Sequence, residues 1–203
     1  FRELEALRLR IAADLHDELG SNLSALSLLS RKLLKRGSAS RQEQADLLAL
    51  NRISGQTSNA IREIVWLINP ECDTLQDLAL RMEVTAKALL GGIECGFECR
   101  QAEGTTRLAP QRRQNLYLLF KESVTNAAKH ARASRVDIKV NQSDHTWELT
   151  VQDDGVGFDP AAAHRGNGLK NLRRRAARLK GALDIHSRTG GGGTTVKFSM
   201  KLP

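Results

Sequence analysis

"KESVTNAAKHA" (Lys121 to Ala131) decides how the second half of the chain is read. With helical spacing, Glu122, Asn126, Lys129 and His130 fall at i, i+4, i+7 and i+8 and share one face. That face collects an acid, an amide oxygen suited to Mg²⁺, and donors for phosphate oxygens. A polar helix face is more often a plain solvated surface. The segments that follow it in the chain decide between the two readings.

The first of these is "QDDGVGF" (Gln152 to Phe158), an acid-rich turn at the end of a strand. Gly155 and Gly157 let the backbone approach a flat ligand. The carboxylate of Asp153 can accept a hydrogen bond from an exocyclic amine. The second is "RGNGLKNL" (Arg165 to Leu172), where Gly166 and Gly168 lead into a helix at Leu169. A helix N-terminus preceded by glycines offers free N–H groups to phosphates. Neither segment is a dinucleotide fingerprint, since the third glycine is missing. "GGGG" at 190–193 is not a P-loop, because no lysine follows at the right place.

Working outward, the pattern predicts a helix over Leu75–Leu90, a strand over Ile93–Cys99 and a helix over Pro110–Ala131. "RVDIKV" and "WELTVQD" alternate as strands. A helix over Leu169–Lys180 and strands over Ala182–His186 and Thr194–Lys201 complete the set. This mixture predicts an α/β sandwich, with helices on one face of a mostly antiparallel sheet. In the first strand Ile93, Cys95, Phe97 and Cys99 alternate with polar residues. The expectation is a buried face, with both cysteines acting as small hydrophobes.

The first 68 residues read as two helices. Leu4, Leu7, Ile11, Leu15, Leu19, Leu23, Leu26, Leu29 and Leu33 form one apolar stripe. Leu47, Leu50, Ile53, Thr57, Ala60, Ile64 and Leu67 form another, after the turn residues "RGSAS" (Arg36 to Ser40). A short loop between them predicts an antiparallel hairpin. Two copies meeting as a four-helix bundle would bury both stripes, so a homodimer is expected. The predicted domains are residues 1–68 and 75–203, joined by the linker "NPECDT" (Asn69 to Thr74). In the first helix His16 stands among Ala12, Ala13, Leu19 and Gly20, with Asp17 beside it. Such neighbours leave the imidazole open to approach.

The net charge is +8, from 31 basic and 23 acidic residues, which favours anionic partners. Aromatics are 4%, few for stacking single-stranded bases, so direct nucleic-acid binding is not expected. No apolar run approaches the ~18 residues needed to span a bilayer. Three cysteines fit a reducing, cytoplasmic compartment. Because the chain begins at Phe1, a sensory or membrane portion is expected upstream.

"ESVTNAAKH", "DDGVGF", "GNGL" and "GGTTV" resemble the N, G1, G2 and terminal boxes of the Bergerat-type (GHKL) ATPase fold. That fold is shared by histidine kinases, Hsp90, MutL and type II topoisomerases. "LHDELG" followed by "REIVWLINPECDTL" resembles the HisKA_3-type phosphoacceptor domain of two-component sensor kinases. The resemblance covers nearly the whole chain. It implies that ATP with Mg²⁺ phosphorylates His16 and that the group passes to an aspartate of a response regulator receiver domain. In that subfamily the regulator typically carries a helix-turn-helix output domain.

Residue by residue, the resemblance makes His16 the phosphorylated histidine and Asp17 the acid that orients it or takes its proton. Glu122 matches the N-box acid and Asn126 the Mg²⁺ ligand. Lys129 and His130 match positions near the phosphates. Asp153 matches the carboxylate that reads the adenine amine, and Thr194 the threonine that supports it. Gly155, Gly157, Gly166 and Gly168, with Leu169, frame a short lid over about Phe158 to Arg165. An alternative within the fold is an ATP-gated conformational module of the Hsp90 and MutL kind, without histidine kinase activity. Ser21 departs from the pattern, since many members of the subfamily have glutamine five residues after the histidine. Its shorter arm predicts weak dephosphorylation of the regulator, and Ser21→Gln is expected to speed the decay of purified phospho-regulator.

Overall fold

The computed structural model describes residues 2–15, 19–35, 40–69, 72–100, 106–143, 145–159 and 167–202. The chain divides into two compact units, Phe1–Cys72 and Asp73–Pro203.

The first unit holds α1 (Arg2–Asp14), α2 (Gly20–Lys35) and α3 (Arg41–Ile68). Both α1 and α2 pack on α3. The sequence predicts one helix over the span of α1 and α2, and residues 16–18 between them lie outside the described residues. Leu15 and Leu19 take π-helical geometry on either side of residues 16–18. A π turn shifts the regular hydrogen-bond ladder by one residue. Helix α3 starts with a reciprocal cap. The Ser40 hydroxyl accepts from the Glu43 N–H at 3.3 Å, and the Glu43 carboxylate accepts from the Ser40 N–H at 2.6 Å.

The seam between α2 and α3 is built from small polar residues. Ser54 is buried and donates to the Leu23 carbonyl at 2.8 Å, while its hydroxyl also meets Ser27 at 3.2 Å. Leu26, Leu29 and Leu33 on α2 are exposed, as are Leu50, Ile53 and Ile64 on α3. These residues carry the two predicted stripes, and the single chain leaves them in water.

The second unit is a five-stranded sheet with helices on one face. Its strands are β1 (Glu94–Arg100), β2 (Arg135–Gln142), β3 (Thr146–Asp153), β4 (Ala182–Ser187) and β5 (Thr194–Lys201). The spatial order is β1-β2-β3-β5-β4; β1 and β2 are parallel and the other pairs antiparallel. Alternate residues of the central strands, such as Ile138, Leu149 and Phe198, are buried. They meet Leu78 and Met82 of α4 (Leu75–Leu90), Leu116 and Phe120 of α5 (Pro110–Asn126), and Leu172 of α6 (Asn167–Arg178) in one core.

Strand β1 departs from expectation. Cys95 is half-buried, but Cys99 is exposed. The strand lies at the sheet edge with a neighbour on one side only, and Glu98–Arg100 are all exposed.

An ion pair invisible to periodicity closes the far end of this unit. Arg113, fully buried on α5, meets Asp73 at 2.8 Å, and the Leu108 N–H donates to the Asp73 carbonyl at 2.7 Å. Removing one partner of a buried pair leaves the other charge stranded. Arg113→Met is therefore expected to destabilise this unit by roughly 3 kcal/mol. Thermal unfolding should show a midpoint lowered by on the order of 10 °C.

Among the described residues, no helix is long and apolar enough to cross a membrane.

Candidate functional site

Helix α5 does not end as a regular helix. From Ala127 to Ala131 the backbone widens into a π turn, and Arg132 closes it in the left-handed region with φ 51°. Turns of this kind concentrate at functional sites. The changed phase alters the spacing assumed from the sequence, yet Glu122, Asn126, Lys129 and His130 still line one cavity of about 620 Å³. The turn also exposes the Ala131 carbonyl, which accepts from the Val156 N–H at 2.8 Å. That bond fixes the glycine turn after β3 against the end of α5.

Asp153 closes β3 and is buried in the wall of this cavity. Its Oδ1 accepts from the N–H groups of Gly155 at 3.0 Å and Thr194 at 3.2 Å. Both bonds fall on the same oxygen, which leaves Oδ2 for a ligand donor. Burial pushes the Asp153 pKa up, and the two backbone hydrogen bonds oppose that shift. Its neighbour Asp154 has a different task. It is exposed and accepts from the N–H groups of Ser134 and Arg135 and from the Ser134 hydroxyl, which hold its pKa down.

Backbone contacts require glycine at positions 155 and 157; a Cβ on Gly155 would stand 2.2 Å from the Ala131 carbonyl oxygen. Gly157 has φ 65°, and a Cβ there would stand 1.9 Å from the Arg188 carbonyl oxygen. Gly168 lies in the first turn of α6 opposite α5, where a Cβ would lie 2.6 Å from Glu122 Oε1 and 3.4 Å from Asn126 Oδ1. The carboxylate and the amide therefore converge on one bare stretch of backbone. Gly155 packs directly on Ala131 and is buried. Leu169 lines the cavity beside Gly168.

Thr194 supports Asp153 through its backbone N–H, while its hydroxyl meets Ser187 Oγ at 2.9 Å. Sequence reasoning missed Ser187, and also the apolar lining from Phe158, Leu172 and Ile185. Leu172 and Ile185 carried a signal, since each sits on the inward parity of its element. In the basic run 173–175, Arg173 and Arg174 are exposed. Arg175 is half-buried instead; burial and the neighbouring Arg174 and Arg178 lower its pKa, while Glu122 raises it. His16, Asp17 and Gly166 lie outside the described residues, as does the predicted lid beyond Asp159.

A family model described as histidine kinase-, DNA gyrase B- and HSP90-like ATPase matches residues 111–203. A second, described as histidine kinase, matches residues 8–73. The chain is 32% identical to an uncharacterized sensor-like histidine kinase of Chloroflexus aurantiacus, over 98% of this chain and 35% of that protein. It is 31% identical to the nitrate/nitrite sensor protein NarX of Escherichia coli, over 91% of this chain and 31% of that one. With the sensor histidine kinase DesK of Bacillus subtilis the identity is 27%, over 97% and 50%. The chain thus spans 31% to 50% of the length of these relatives.

Among solved structures, the histidine kinase domain of the Erythrobacter litoralis EL346 blue-light activated kinase matches with a TM-score of 0.57. The identity is 22%, over 90% of this chain and 94% of that one, which shows a shared fold. One family match covers most of the helical unit and the other covers four of the five strands and the cavity, so the chain belongs to the two-component sensor histidine kinases, as a catalytic core of that family.

Proposed function

We propose that this chain binds ATP in the cavity of the second unit, phosphorylates His16, and passes the group to an aspartate of a response regulator. The observation that carries the reading is the convergence of Glu122, Asn126, Asp153, Gly168 and Thr194 on one cavity within the segment matched to the ATPase family. A buried carboxylate with one free oxygen suits the amine of adenine. An apolar lining from Leu172 and Ile185 suits a flat base. ShkA, a structural neighbour at 19% identity, was solved in complex with AMPPNP.

The residues present fit a magnesium ion carried in with the nucleotide. Mg²⁺ is usually held by one or two protein oxygens together with substrate phosphates. Asn126 would supply an amide oxygen, and Glu122, adjacent to it, supplies negative charge that favours a cation. When bound, the ion would offset charge building on the phosphates. Lys129 and His130, both exposed and lining the cavity, would meet the phosphate end.

In the transfer, a lone pair of the neutral His16 imidazole attacks the γ-phosphorus and a P–N bond forms. The bond to the bridging oxygen breaks and ADP leaves. Asp17 orients the ring and takes up its proton. In the second step the P–N bond breaks as an aspartate oxygen of the regulator takes the phosphoryl group. Incubation with γ-labelled ATP tests the whole reading. Label that stays on the protein, is stable in base and labile in acid, and maps to His16 is expected. Release of free phosphate with no retained label would favour the ATP-gated alternative.

The chain is proposed to act as a homodimer through residues 1–68, as the cytoplasmic part of a longer sensor. Exposed Leu26, Leu29, Leu33, Leu50, Ile53 and Ile64 support this, because one hairpin cannot bury both of its stripes. A fragment of residues 1–74 is expected to sediment as a dimer. A folded monomer at micromolar concentration would contradict it.

A further inference from the structure

Asp153, Thr194 and Ser187 stand in register across three neighbouring strands, β3, β5 and β4. The first two line the cavity, whereas Ser187 stands behind them. Its single hydroxyl meets three partners. It accepts from the Phe158 N–H at 2.9 Å, lies 3.2 Å from the Gly193 carbonyl oxygen, and lies 2.9 Å from Thr194 Oγ1.

The protons of this cluster can be assigned by counting. The Phe158 N–H can only donate and the Gly193 carbonyl can only accept. Ser187 has one proton and two lone pairs. All three contacts are satisfied when Ser187 donates to Gly193 and accepts from both Phe158 and Thr194. The Thr194 proton is then turned away from the cavity. What Thr194 shows the cavity is lone pairs, next to the free Oδ2 of Asp153.

We infer that Ser187 is a positioning residue for base selection: it fixes the Thr194 hydroxyl as an acceptor, so this corner presents acceptors alone and selects a purine with an amine at its six position. A purine with a carbonyl there would set oxygen against oxygen, and desolvated acceptors facing each other lose both hydrogen bonds. The same hydroxyl anchors Phe158, the first residue of the predicted lid, so the base corner and the lid root share one hydrogen-bond hub.

This inference rests on the nucleotide reading of the cavity, and the test separates the two. Affinities for ADP and IDP, which differ at that position of the base, are measured by calorimetry on the full chain. The unsubstituted protein should prefer ADP. In Ser187→Ala the Thr194 hydroxyl loses its acceptor and is free to donate into the cavity. The ADP-to-IDP preference should narrow about tenfold, the effect of roughly one hydrogen bond. Ser187→Thr keeps the hydroxyl and should keep the preference; Thr194→Val removes the acceptor and should narrow it.

An unchanged preference in folded Ser187→Ala would overturn the inference. So would an unchanged preference in Thr194→Val, which decides the matter even where Ser187→Ala does not fold. Equal narrowing in Ser187→Thr and Ser187→Ala would assign the effect to packing and also overturn it. Failure of the unsubstituted protein to bind ADP would overturn the nucleotide reading itself, before any substitution is made.

Discussion

His16→Gln is expected to abolish phosphate incorporation while leaving the affinity for ADP unchanged. Glutamine has no lone pair of comparable nucleophilicity, so the fall in retained label should reach roughly 10³-fold or more, the scale on which loss of a nucleophile acts. The affinity is spared because His16 belongs to the first compact unit and every described residue of the cavity belongs to the second. Label retained by the variant at the native level would mean that another residue is the acceptor. A large loss of ADP affinity would mean that His16 forms part of the nucleotide site.

Asp153→Asn should do the reverse, lowering ADP affinity by roughly 10- to 100-fold, since hydrogen bonds to a charged group exceed neutral ones. The direction follows from the two backbone bonds to Oδ1. Gly155 and Thr194 both donate there, so an asparagine must place its oxygen at that position. Its NH₂ group then occupies the place of Oδ2 and meets the adenine amine donor to donor. The fold should survive, because the substitution removes a buried charge. The affinity should be read by calorimetry, and an unchanged value would remove Asp153 from the site.

The same residue predicts a pH signature. Burial raises the Asp153 pKa, so between the ordinary aspartate value and the raised one the folded state holds a proton that the unfolded state has released. Stability contributed by this group therefore falls as pH rises through that window. ADP affinity should move the opposite way, rising as the carboxylate ionises. Denaturant unfolding of Asp153→Asn should lack this component of the pH slope. Asp154 acts with the opposite sign. Its lowered pKa contributes stability above the ordinary aspartate value, and that stability is lost as pH falls through the lowered one.

Much of this architecture was legible locally. The predicted helix Leu75–Leu90 coincides with α4, and the alternation in "WELTVQD" placed Trp147, Leu149, Val151 and Asp153 on one face. Asp153 shares that buried face and Asp154 does not, because side-chain direction in a strand has a period of two. The caps are local as well: Ser40 with Glu43, and Thr74 with Asp77, each close three residues apart.

What the sequence by itself determined is thus whatever depends on neighbours a few positions away: the elements, their faces and the residue types brought to each loop. Only the tertiary structure decided the rest. The sheet order that puts β5 between β3 and β4 aligns Asp153, Thr194 and Ser187 from segments 41 and 7 residues apart. The parallel pairing of β1 with β2 leaves β1 at an edge and exposes Cys99. The Arg113–Asp73 pair spans the helix α4 and the strand β1 in sequence. The first two share one physical reason. Strand order and register are fixed by which buried faces fit together, and a one-residue slip would turn every side chain to the other face. No local pattern carries that information, so the row proposed to read the base became visible only when the strands were side by side.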